Sequence, residues 1–119
     1  MDLGETTEAI RKVLDYEPNA DNIAEVNEKL LQLVQLTGLS AAAMARAKTN
    51  LERKRLQVLK EMEEGMPASI MTKRMDGECS EELGMFTYCD RLHSALVHSI
   101  DGLRSVISLY KSELENGLK

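Results

Sequence analysis

Aromatic residues are the scarcest part of this sequence: its 119 residues include three Tyr, one Phe and no Trp. The core must therefore be aliphatic, which suits packed helices better than β-sheets, where aromatic residues are enriched. The chain has only two prolines, and its β-branched residues are scattered rather than clustered, which also argues against strands. Together these absences predict an all-α fold.

Cysteine is also scarce. Cys79 and Cys89 alone cannot form a disulfide framework, so a reducing, cytoplasmic setting is expected. The first residues, MDLGETTEAIRKVL, are acidic and contain no long apolar run, which predicts neither a signal peptide nor a membrane span.

Motifs of catalysis are missing too. The chain has no glycine-rich phosphate loop, no Walker sequence, no G-x-S-x-G and no H-E-x-x-H. Cys89 and His93 share a helical face, but the pattern C-x9-C-x3-H-x4-H, which ends at His98, matches no standard zinc spacing. We therefore expect no enzyme, metal or cofactor, and we interpret Cys89 and His93 as core residues.

The strongest positive signal is a heptad pattern between residues 80 and 116. Its apolar positions alternate spacings of three and four: Phe86, Cys89, His93, Leu96, Ile100, Leu103, Ile107, Tyr110 and Leu114. This predicts a helix that packs along its whole length, with a kink at Gly102 as the alternative. Such a helix would be ~52 Å long, whereas a compact chain of this length has a radius of gyration near ~13.5 Å. The fold should be an elongated hairpin, or a homo-oligomer whose other copies cover the overhang, which we favour.

The remainder of the chain completes a single helical domain over residues 1–119. Residues 1–38 predict two shorter N-terminal helices, the second ending at Gly38. Ser40 starts a basic helix over 40–65, and a methionine-rich connector over 66–79 holds one short helix near Pro67. The architecture expected is an elongated helical hairpin or bundle.

The net charge is −5, yet residues 46–60 carry six basic residues against one acid, Glu52. Arg46, Arg53 and Lys60 recur every seven residues and could follow the phosphates of a nucleic acid, although no aromatic residues interleave with them for base stacking. The same segment contains two further cations, Lys48 and Arg55, on or near the apolar face of the helix.

A cation on an apolar face must reach solvent, pair with a carboxylate or meet an anion. Reaching solvent or pairing with a carboxylate is one interpretation of Lys48 and Arg55, and the other is an anion-binding pocket that they form with a second chain. Arg91, Arg104 and Tyr110 of the last helix are its expected companions.

Methionine is concentrated around the connector. Beside Ile70, Lys73 and Arg74 stand Met66, Met71 and Met75. Methionine is common on adaptable contact surfaces and is also used to fill cores. This segment is the predicted protein-contact surface, with core packing as the alternative.

Two segments carry a resemblance to a known group. The run ARAKTNLERKRLQVLKEMEEGMPASIM, together with LRSVISLYKSELE, resembles small all-helical proteins encoded by bacteriophages and prophages, over residues 43–115. The second run contributes Leu103, Arg104, Ser105, Ser108 and Glu113. The resemblance implies a cytoplasmic accessory role in recombination, replication or the inhibition of host defence, and it assigns no catalytic residue.

The sequence therefore leads to one main hypothesis and two alternatives. The main one is a non-catalytic protein that acts by binding a host protein or a small anionic nucleotide. The alternatives are a nucleic-acid-binding accessory protein and a structural assembly component.

Overall fold

A computed structural model describes residues 1–117 as four α-helices with no strand among them. The helices are α1 (Leu3–Asp15), α2 (Ile23–Glu61), α3 (Ala68–Glu78) and α4 (Ser80–Gly117). The long helices α2 and α4 form an antiparallel hairpin, because Leu33 packs near Ile100 while Val58 packs near Cys79. The all-α, elongated architecture expected from the sequence is confirmed.

Side-chain caps fix where the first two helices begin. The Glu5 N–H donates to the Asp2 carboxylate at 2.8 Å, and the Glu25 N–H donates to the Asn22 side-chain oxygen at 3.3 Å. Such caps satisfy backbone N–H groups that have no partner within the helix. Between α1 and α2 the chain turns at residues 16–22, which include Pro18.

The helix boundary expected at Gly38 is wrong. α2 runs unbroken through Gly38 and Ser40 for 39 residues. A glycine inside a helix costs about 1 kcal/mol relative to Ala. Leu33 on one side of it and Ala43 on the other are both buried, and burying such side chains outweighs that cost. The helix also ends at Glu61, earlier than predicted.

The connector and the last helix follow the sequence more closely. The chain reverses through Gly65, whose φ of +82° is a conformation that glycine adopts readily. The short helix expected near Pro67 is α3, and α4 is continuous through Gly102. Cys89, Leu96 and Ile100 of the heptad pattern are buried, so the pattern marks the packed side of α4.

The core changes character along the hairpin. We call residues 1–47 and 88–110 the three-helix region, where α1 lies against both α2 and α4, and residues 48–87 the turn region. The three-helix region has two clusters of buried apolar residues. The first consists of Ile10, Leu33, Leu92, Leu96 and Ile100. The second, nearer the turn, consists of Ala43, Ala47 and Cys89. In the turn region the core is formed by Leu51, Val58 and Cys79.

The molecule is long and thin, with extents of 78 × 28 × 18 Å and a radius of gyration of 20.9 Å. Most of the α4 seam is covered within the same chain, so the reason for expecting an oligomer along that seam is wrong. Only Tyr110 and Leu114, 37% and 52% exposed, continue the pattern without cover, because α4 there runs past the residue at which α2 begins. Among residues 1–117, no helix has the length and apolarity needed to cross a membrane.

Candidate functional site

The basic half of α2 forms one side of an open groove. The groove has a volume of about 710 Å³ and lies between α2 and Met75 of α3. Its α2 lining consists of Lys48, Thr49, Glu52, Arg53, Arg55, Leu56 and Leu59. The structure thus brings Lys48 and Arg55 into one concave surface.

The groove is electropositive because it holds three cations and one acid. Within residues 1–117 the ion pairs are Arg11–Asp15 at 3.4 Å and Arg74–Glu78 at 3.1 Å, so the cations of the groove have no such partner there. Arg55 is exposed and not buried on the apolar face, so its charge avoids the cost of desolvation. The apolar part of the lining comes from Leu56, Leu59 and Met75.

The other three residues predicted for this site lie elsewhere. Arg91 lines a separate groove with Asp76 and Tyr88. Arg104 and Tyr110 are further along α4, ~28 Å and ~37 Å from the level of Lys48 at 1.5 Å per residue. The five residues therefore do not meet within one chain, because the antiparallel register places the basic half of α2 beside residues 72–85.

The stripe predicted for nucleic acids is exposed along its length. Arg46, Arg53 and Lys60 all face solvent and span ~21 Å of α2. The Arg46 guanidinium donates to the Met1 carbonyl at 3.3 Å, which ties the start of the chain to α2. No aromatic side chain lines the neighbouring groove, so it offers no platform for base stacking.

The methionine-rich segment is divided between the core and the surface. Met75 packs with Val58 and Cys79, as the core interpretation expected. Ile70 and Lys73 are exposed, Met66 and Met71 are half-buried, and Arg74 pairs with Glu78 of its own helix. The exposed part of this segment therefore mixes apolar and charged side chains.

Cys89 and His93 lie inside the hairpin. Cys89 is buried against Ala43 and Ala47, and burial raises the pKa of its thiol. His93 Nδ1 lies 3.0 Å from the hydroxyl of Ser40, a buried residue that the sequence had assigned to a helix start. In the described part of the chain no three His, Cys, Asp or Glu side chains gather as metal ligands.

One structurally important residue was missed by sequence reasoning. Lys29 is 6% exposed, and its ammonium donates to the carbonyls of Leu14, at 3.0 Å, and Tyr16. A cation at the end of α1 satisfies carbonyls that have no partner in the helix and matches the helix dipole. The available signal was a lysine on the apolar side of α2, four residues before Leu33.

Comparisons with protein-family models, with characterised proteins and with solved structures gave no match. The groove and the exposed faces of the two long helices are therefore the features that indicate a function.

Proposed function

We propose that this protein is a non-catalytic accessory protein that acts by binding, and that the groove between α2 and α3 holds an anionic ligand. The observation that carries the proposal is the set of Lys48, Arg53 and Arg55 around one concavity, with Glu52 as the only acid. Cations with free hydrogen-bond donors bind carboxylates and phosphates through charge-assisted hydrogen bonds. The apolar side chains nearby would pack against the uncharged part of the ligand.

The biological setting of this proposal comes from the phage resemblance. A protein that inhibits host defence by engaging a host protein, or by sequestering an anionic nucleotide in the host cytoplasm, needs a binding surface and no reaction centre. An acidic protein segment and a nucleotide share the chemistry that the groove recognises, namely several negative oxygens beside an apolar portion.

The test is a melting experiment with ATP and, separately, with a poly-glutamate peptide. A bound anion should raise the melting temperature with its concentration. Arg55→Ala and Lys48→Ala should abolish the rise, whereas the matched control Arg104→Ala, which alters an exposed arginine outside the groove, should keep it. Stabilisation by ATP alone identifies a nucleotide ligand, and stabilisation by the peptide alone identifies an acidic protein segment. Equal stabilisation of Arg55→Ala and Arg104→Ala would contradict the proposal.

A second candidate function is support of recombination or replication by binding nucleic acid. Arg46, Arg53 and Lys60 favour it because they form an exposed line on the outer edge of α2. Each phosphate contact should contribute a slope of about −0.9 to the logarithm of affinity against the logarithm of salt concentration. Fluorescence anisotropy with duplex DNA measures this slope, and the triple change of these residues to Ala should flatten it. Binding that is insensitive to salt would exclude this candidate.

We also propose that the protein works as a homo-oligomer. The support is the exposure of apolar side chains on both long helices, for example Leu31 at 55% and Leu109 at 62%. An assembly role without any ligand would show the oligomer and neither of the binding effects described above.

A further inference from the structure

α2 has a second, mainly apolar face on the side turned away from α4, and Thr49 and Glu52 are its two polar members. Its members are spaced three or four residues apart, which keeps them in one line on a helix. They are Leu31, Val34, Gly38, Ala41, Ala45, Thr49, Glu52, Leu56 and Leu59. All are exposed, and its four large residues expose 55%, 42%, 53% and 49% of their surface in chain order. We call this line the outer face of α2.

The spacing of the residues in the outer face is the same in both directions, although Glu52 mirrors Gly38 and Thr49 mirrors Ala41. The spacings from Leu31 to Leu59 are 3, 4, 3, 4, 4, 3, 4 and 3, with Ala45 at the midpoint. Large apolar side chains stand at both ends, and Ala41, Ala45 and Thr49 form a small centre, with Glu52 opposite Gly38 of a second copy. A two-fold contact joins the same patch on two copies, so a sequence with this symmetry fits an antiparallel pair of identical helices.

We propose that a second copy of this chain docks antiparallel along the outer face of α2, with the two-fold axis at Ala45. Leu31 then packs beside Leu59 of the second copy, and Val34 packs beside Leu56. The small residues around Ala45 allow the helix axes to approach to roughly 8 Å, the short end of the usual range. The exposed leucines of each copy thereby become buried.

Charge decides between antiparallel and parallel docking. Glu28 and Lys60 are exposed on the same flank of the outer face, and neither has an ion pair within residues 1–117. In the antiparallel pair Glu28 meets Lys60 of the second copy, and the symmetry repeats the contact. In a parallel pair the two-fold axis runs along the helices and places these flanks on opposite sides, so the contact between Glu28 and Lys60 is lost.

The same contact alters the groove without depending on its ligand. Leu56 and Leu59 belong both to the outer face and to the groove. The second copy would cover these two side chains with its Leu31 and Val34. Lys48 and Arg55 project to one flank of the outer face, so they would stay at the rim of the interface. In the dimer, Leu31 and Val34 of the second copy therefore replace Leu56 and Leu59 as the apolar surface that a ligand beside Lys48 and Arg55 would meet.

The first test is the absolute mass of the full-length chain by multi-angle light scattering across a concentration series. A dimer has twice the chain mass of 13.3 kDa. Ala45→Glu brings two carboxylates together in the buried centre and should raise the dissociation constant by at least about a hundredfold. Helical content by circular dichroism should not change, because Ala45 is exposed in the single chain.

The matched control is Ala95→Glu, an equal change at an exposed alanine of α4, which should leave the dimer intact. A wild-type chain that is monomeric at every concentration overturns the proposal. So does an oligomer that Ala45→Glu leaves unchanged, since its interface must lie on another surface.

The second test determines whether the two α2 helices dock antiparallel or parallel. Val34→Cys and Leu56→Cys are made separately, mixed and oxidised, and the disulfides are identified by mass spectrometry. Antiparallel docking predicts a disulfide between the two variants and none within either variant alone. Disulfides that form within each variant show parallel docking and overturn the proposal. The wild-type chain reports any background from the buried Cys79 and Cys89.

Discussion

The three-helix region and the turn region use the same two long helices with different numbers of neighbours. In the first, α1 gives α2 and α4 a second surface to pack on, and Ile10, Leu33 and Leu96 have no exposed surface at all. In the second, the two helices share one seam, and α3 buries none of its own residues. The more extensive packing of α1 on both long helices, compared with that of α3, therefore changes a single seam into a three-dimensional core.

The difference extends from packing to binding surfaces. The cationic groove and half of the outer face lie in the turn region, where Leu56 and Leu59 expose about half of their surface. A thin core leaves apolar and charged side chains exposed to a partner, whereas a well-packed core buries its apolar side chains. Binding elements are commonly found in the less stable parts of a fold.

The largest expected effect is a loss of stability when a buried leucine is changed to alanine in each region. Leu96→Ala removes a side chain with 0% exposure from the three-helix core and should cost about 3–5 kcal/mol. Leu51→Ala, at 3% exposure in the turn region, should cost about 2–3 kcal/mol because fewer neighbours surround its cavity. Urea unfolding followed by circular dichroism measures both. Equal losses would mean that the two regions are equally well packed.

The next test removes the lysine that fixes α1. Lys29→Met keeps the aliphatic stem but leaves the Leu14 and Tyr16 carbonyls without their donor, at a cost of about 1–3 kcal/mol. Hydrogen exchange should show the loss of protection concentrated in α1 and the α4 residues beneath it. Lys111→Met, at an exposed lysine of α4, is the control and should leave exchange unchanged. A uniform loss along the hairpin would contradict this role for Lys29.

The labelling rates of the two cysteines compare how readily the two regions open locally. Cys79 and Cys89 are 3% and 2% exposed, so a thiol reagent reaches either one only when its surroundings open. We expect Cys79, in the turn region, to be labelled about tenfold faster than Cys89 at neutral pH, measured by mass spectrometry. Faster labelling of Cys89 would reverse the order of stability proposed for the regions.

The Cys89 thiol also has a consequence for stability against pH. Burial raises its pKa above the ordinary value of 9.0, so the folded chain holds this proton more tightly than the unfolded chain. The stability that it supplies is complete below that pH and is lost as the pH rises through the folded pKa.

The smallest expected effect is at the start of α1. The Glu5 N–H bond to the Asp2 carboxylate lowers the pKa of Asp2 from its ordinary value of 3.8. Asp2→Ala should slightly reduce the protection of α1 at neutral pH, and the difference should vanish as the pH falls through the folded pKa. Hydrogen exchange followed from neutral pH to well below 3.8 measures it, with Asp90→Ala as an exposed mid-helix control. A difference that persists undiminished in acid would exclude the carboxylate as its cause.

The periodicity of apolar residues predicted the helices of this fold and their packed faces. It did not predict which part of α2 lies beside which part of α4. The α4 pattern identified Cys89, Leu96 and Ile100 as core because a repeat of three and four marks one face. The same reasoning placed Arg91, Arg104 and Tyr110 near Arg55, which does not hold within one chain because the register of the hairpin depends on α1, the turn and α3 together. Lys48 and Arg55 share a groove since they lie two turns apart on one helix.

Local signals failed where tertiary packing was stronger. Gly38 followed by Ser40 has the sequence of a helix end and a new start, yet α2 continues because residues on both sides are buried. The Ser40 hydroxyl is hydrogen-bonded to His93, which is 53 residues away in the sequence. No local sequence pattern predicts such a contact. Lys29 likewise binds carbonyls that depend on how α1 folds back on α2.

The shape of the chain also has a hydrodynamic consequence. A radius of gyration of 20.9 Å is that of a compact protein of roughly 370 residues, about three times the length of this chain. A single copy will therefore elute from a sizing column at the volume of a compact protein several times its mass. It will also tumble slowly and anisotropically in solution. Two copies docked antiparallel side by side would gain mass while their length increased little, so elution volume would respond weakly to a true doubling of mass.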